Sequence, residues 1–66
     1  MHHSQVVFVV QGLLSSGEPE LIEVFEFRAK AEIFATMKSP NWAYAKDAKK
    51  AESADYVIHV KEIRSH

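Results

Sequence analysis

The sequence predicts an α+β fold: a three-stranded antiparallel sheet in spatial order 2-1-3, with one or two helices packed on one face, in chain order β-β-α-α-β. Three stretches carry that expectation. Val6-Val7-Phe8-Val9-Val10 is β-branched or aromatic throughout, Arg28–Lys38 is rich in helix formers and free of Gly and Pro, and Tyr56–Ile63 returns to strand-forming residues.

The first strand should span about residues 5–11. Leu13-Leu14-Ser15-Ser16-Gly17-Glu18-Pro19 follows, and its Gly, Pro and serines suit a hairpin loop. Leu21–Phe27 then reads as a second strand, antiparallel to the first. Its interspersed Glu20, Glu23 and Glu26 suit an edge position, where charge discourages unwanted pairing. Over Arg28–Lys38 the residues Ala29, Ile33, Phe34 and Met37 form an apolar stripe for the core. Ser39-Pro40 has the form of an N-cap followed by proline at the first helical position. A second helix is therefore expected from there, with Trp42, Ala45, Ala48 and either Ala51 or Glu52 along one face. Lys46, Asp47, Lys49 and Lys50 fall on its other face. The last strand places Tyr56, Ile58 and Val60 on one side.

If that strand lies beside the first, the valine-rich strand is central. It meets the helices with Val6, Phe8 and Val10 and leaves Val7 and Val9 on the opposite face. There Val7 and Val9 would be joined by Val57, Ile63 and Phe25, with His59 and Lys61 among them. Clustered apolar side chains on a bare sheet face mark an interaction site. Burying four or five of them contributes roughly 1.5–3 kcal/mol each before association costs, which favours a twofold homodimer or docking on another protein. The alternatives are a longer terminal or loop segment folding under the sheet, or simple tolerance of scattered exposed valines, and a one-residue shift of the pleat would exchange the two faces.

Size and composition point the same way. A chain of 66 residues holds one domain, 1–66, and buries only about 60% of its unfolded surface, so disulfides, a metal or oligomerisation usually add stability. It has no cysteine, which fits a reducing, cytoplasmic setting and removes disulfides. His2-His3 lack further ligands at a useful spacing, so neither a metal nor a cofactor is expected. No apolar run approaches the ~20 residues that cross a bilayer, and Met1–Ser4 lacks the basic region of a signal peptide. The Ser, Asp and His residues suggest no nucleophile with a base, and the paired glutamates read as a solvated acidic edge, so catalysis is not expected. The net charge of -1 argues against general phosphate-backbone binding. The alternative partner is nucleic acid at a basic face of Lys46, Lys49 and Lys50, with Lys38 nearby. Trp42 and Tyr44 are the candidate stacking residues, although Trp42 also suits the core.

The stretches VVFVVQG, GEPELIEVFEFRAKAEIFA and ADYVIHVKEI resemble small ββαβ proteins encoded by bacteriophages and other mobile elements. The resemblance runs over roughly the whole chain, with Glu23 standing where a glycine is common and Glu26-Phe27 replacing small polar residues. It implies a host-directed interaction protein, such as an inhibitor of a defence or regulatory complex, and it carries over no functional residues.

Overall fold

The structure, a computed structural model, describes residues 3–13 and 22–65, with side chains described for 5–13 and 22–63. In chain order its elements are β1 (His3–Gly12), β2 (Ile22–Phe25), α1 (Arg28–Lys38), β3 (Trp42–Tyr44), α2 (Ala48–Ala51) and β4 (Tyr56–Ser65). His2, Glu18, Glu20 and the expected hairpin loop beyond Leu13 lie outside the described residues.

The sheet has four strands in the order β2-β1-β4-β3. β1 pairs antiparallel with β2 and β4, so the valine-rich strand is central and the last strand lies beside the first, as the sequence predicts. The sheet is mixed, because β3 pairs with β4 in parallel. That fourth strand replaces the first half of the expected second helix, for a local reason. A residue before proline is pushed out of the helical region. Ser39 takes φ -163° and ψ 139° and closes α1 as its C-cap. Its hydroxyl donates to Asp55 Oδ2 at 2.9 Å and accepts the Asn41 N–H at 3.1 Å. Asn41 in turn accepts the Asp55 N–H at 2.8 Å and donates its side-chain amide to the Ser53 carbonyl at 2.9 Å. The two connections are thus tied together, and Trp42-Ala43-Tyr44, good strand formers, align beside Tyr56-Val57-Ile58. What remains helical is Ala48–Ala51, started by Asp47, whose carboxylate accepts the Lys50 N–H.

The helices lie on opposite faces, which corrects the expectation that both share one. On the inner face, Ala31 and Ala35 of α1 pack on Phe8, Val10, Tyr56 and Ile58, with Phe25, Phe34, Trp42 and Tyr44 around them. On the outer face, Ala51 and Ala54 cover Ala43 and Val57, with Leu13 and Ala45 beside them. The side that α1 buries is also corrected. Its inward residues are Ala31, Ala35 and partly Phe34, whereas Ala29, Ile33 and Met37 are exposed. The aromatic rings below already fill the space over the sheet, so the helix fits closely only with its small side chains inward.

Among the described residues, β2 pairs only with Phe8–Gln11, and β3 only with Tyr56–Ile58. Residues 3–7 and 61–65 therefore continue as a two-stranded ribbon beyond both edge strands, and the molecule reaches 44 Å in its longest dimension.

Candidate protein interface

The outer face is a grid set by strand register. Val24, Val9 and His59 stand in one row across β2, β1 and β4, and Ile22, Gln11 and Val57 stand in the next. Val7 opposite Lys61 and Gln5 opposite Ile63 continue the grid along the ribbon. Side chains directly opposite on one face lie about 4.5–5.5 Å apart at Cβ, so each row is a contact line.

Of the interface residues expected from the sequence, three remain available. Val9 and His59 are half-buried, and Ile63 is exposed. Val7 and Val57 keep only 7% and 5% of their surface, so the chain already buries two side chains expected to meet a partner. Val57 is covered by Ala51 and Ala54, from the end of α2 and the turn that follows it. Phe25 is corrected as well: it pairs with Phe8 on the inner face, where its ring stacks at a tilt on Phe34, centroids 5.2 Å apart. The β2 side chains on the outer face are Ile22 and Val24, 57% and 58% exposed. Nothing in the sequence marks them. The parity of β2 follows from hairpin register, and the glutamates at 20, 23 and 26 do not alternate with period two.

Beside this patch, His59 Nε2 and Gln11 Oε1 are 2.9 Å apart, an arrangement in which the imidazole donates and the amide oxygen accepts. The pair floors a shallow hollow of about 370 Å³ walled by Leu13, Ala45, Val57 and α2. A smaller notch of about 160 Å³ opens where β3 ends and β4 runs on, lined by Lys46 and Lys61 among others. The outer face thus offers apolar side chains, one half-buried polar pair and a rim of lysines.

Lys46, Lys49 and Lys50 are all exposed on and beside α2. Trp42 and Tyr44, the expected stacking partners, are held on the inner face. The Trp42 indole N–H donates to Thr36 Oγ1 at 2.8 Å and its ring meets Tyr44 edge-on. The Tyr44 hydroxyl donates to the Glu32 carboxylate. Burial first, then that hydrogen bond and the Glu32 charge, push the Tyr44 phenol up to about 12. This is a structural strut between α1 and β3, and a phenol that holds its proton so firmly is unsuited to act as a base near neutral pH.

Among the described residues, no group of three His, Asp or Glu gathers as a metal site, and no helix is long and apolar enough to cross a membrane. Comparisons with protein-family models, curated proteins and solved structures return no match.

Proposed function

We propose that this chain is a small non-catalytic interaction protein that binds another protein through the uncovered part of its outer sheet face. The observation that carries this reading is the row of Val24, Val9 and His59 next to Ile22, with two large aliphatic side chains more than half exposed on a regular sheet. A rigid strand surface holds such side chains at fixed spacing, so a partner can be matched to them without ordering a loop first. The polar Gln11–His59 pair and the Lys46 and Lys61 rim supply direction around an apolar centre, the usual anatomy of a protein interface. The resemblance to phage-encoded ββαβ proteins supports a host protein as the target, with inhibition of a defence or regulatory complex as the mode of action.

The test is affinity capture from bacterial lysate with the native chain and with an Ile22→Glu/Val24→Glu double variant. One partner recovered in stoichiometric amount with the native chain and lost with the folded variant is the expected result. Identical recovery with both would reject the outer face as the binding surface.

A further inference from the structure

β4 outruns the strand beside it. β3 aligns with Tyr56–Ile58, and Ala45 closes that ladder by donating its N–H to the Ile58 carbonyl at 2.9 Å. The Asp47 N–H then bonds back to the Tyr44 carbonyl at 3.0 Å, a turn that carries the chain out of line, while β4 runs on to Ser65. Backbone groups of a strand alternate between its two edges with period two. The Ile58 carbonyl points to the β3 side, so the N–H and C=O of Val60 point there too, and among the described residues no strand stands in that lane. The notch of about 160 Å³ lies beside Val60 and is charged with one sign: Lys46, Lys61 and His59 line it, and no carboxylate does. Asp47, next to Lys46, is turned to α2, where it accepts the Lys50 N–H. At the other edge of the sheet β2 carries Glu23 and is followed by Glu26, both exposed, so the two edges differ in charge.

We propose that this edge binds an extended acidic segment of the target protein, which enters the lane where β3 ends and adds a strand to β4 at Val60. The proposal rests on the outer face being a protein-binding surface, and it names the chemistry of the partner. Main-chain pairing at Val60 supplies the hold, and the two ammonium groups supply the choice of sequence. Lys61 and His59 stand on the outer side of β4, whereas Glu62 stands on the inner side with Val60. A partner strand is therefore matched when its carboxylates recur at every second position. They then all face Lys46 and Lys61, and the residues between them lie beside Val60, which is 50% exposed, and away from any repulsion by a second acidic row. A uniformly acidic strand would set carboxylates against Glu62. Nucleic acid offers no ladder to Val60, and Trp42 and Tyr44, the residues for stacking it, are held on the inner face.

Hydrogen exchange reads the edge directly: in the full chain the Val60 amide should exchange fast and the Lys61 amide, which faces β1, slowly. Selection of surface-displayed random linear peptides against the full chain should enrich Asp or Glu at alternate positions, separated by β-branched or aromatic residues. The strongest such peptide, made synthetically, should slow exchange at Val60. Its affinity should fall about tenfold or more in Val60→Pro and in Lys46→Glu/Lys61→Glu, with circular dichroism spectra unchanged. Proline is tolerated on an edge whose N–H faces away from the ladder, so Val60→Pro removes the donor and keeps the β1–β4 pairing. If that variant unfolds, the peptide methylated at its backbone nitrogens takes its place, and its binding should be lost. Each of these results would overturn the proposal: slow exchange at Val60 in the unbound chain, no enrichment, enriched peptides without alternate acids, or binding undiminished by Val60→Pro or backbone methylation. So would an oligothymidylate that displaces the peptide and binds Val60→Pro as well as the native chain, which would assign the lysines to nucleic acid. Target capture kept by Val60→Pro and lost with Ile22→Glu/Val24→Glu sinks the edge alone, and the reverse pattern sinks the apolar row alone.

Discussion

The two faces of the sheet are built from the same strands and stabilised in different ways. The inner face is covered by the three-turn helix α1 over a bed of Phe8, Val10, Tyr56 and Ile58, and both Val10 and Ile58 are wholly removed from solvent. Among the described residues, the outer face is covered only at one end, by the four-residue α2 and its flanks over Ala43 and Val57, and the rest carries exposed aliphatic side chains. Stability is thus concentrated on the inner face, which leaves the open end of the outer face free to be selected for what it binds.

The contrast is sharpest at two adjacent residues that point in opposite directions. Ile58 is fully buried beneath α1, and Ile58→Ala should cost about 2–5 kcal/mol in chemical denaturation, because the close-packed aromatic bed cannot collapse into the space. That loss takes a large part of the stability available to so small a domain. A loss under about 1 kcal/mol would mean that the inner face is not the stabilising one. Val57→Ala, one position away beneath α2, should cost less, roughly 2 kcal/mol, since fewer methyl groups are removed and short α2 can settle inward. Equal losses at the two sites would dissolve the distinction between the faces.

How far this distinction could be read from the sequence depends on which interaction set each element. The valine run marked β1 as a strand apolar on both faces, and the alternation of Tyr56, Ile58 and Val60 marked β4, because period-two patterning reports which face of the sheet a side chain takes. The limits of α1 agree with its run of helix formers. Its rotation was illegible because the helix has two apolar stripes, Ala31-Phe34-Ala35 and Ala29-Ile33-Met37. Choosing the bulkier one ignores the rings already occupying the sheet below. β3 was hidden too. Three residues carry no period, and Ser39-Pro40 serves equally as a helix start or, as here, a helix stop. Of the interface, Val9, His59 and Ile63 followed from β1 and β4, whereas Ile22 and Val24 depended on a hairpin register that the residues do not specify.

The strut from α1 to β3 gives a third, smaller effect and a pH signature confined to the inner face. Tyr44→Phe removes a hydrogen bond to a carboxylate at a partly exposed site, for a cost of roughly 1 kcal/mol. The phenol is raised from 10.0 to about 12 in the folded chain, so folding favours its protonated form. Its contribution is complete below pH 10.0 and fades as pH rises through about 12. The stability of the native chain should therefore converge on that of the Phe variant across that interval. Two curves that stay parallel through it would show that the strut contributes nothing.

The smallest effect belongs to the open end of the outer face, and its smallness is the informative part. Val24 is 58% exposed, so truncating it exposes little new surface and leaves no cavity, and Val24→Ala should change stability by less than about 0.5 kcal/mol. Set against Ile58→Ala, it separates two aliphatic side chains of the same sheet that differ chiefly in what lies above them. A residue retained for folding would show its cost in the isolated chain. One whose loss is silent there has its energetic role in a complex, where burial beneath a partner would restore the penalty that denaturation of the free chain does not detect. A cost at Val24 approaching that at Val57 would place it in the core and remove the centre of the proposed interface.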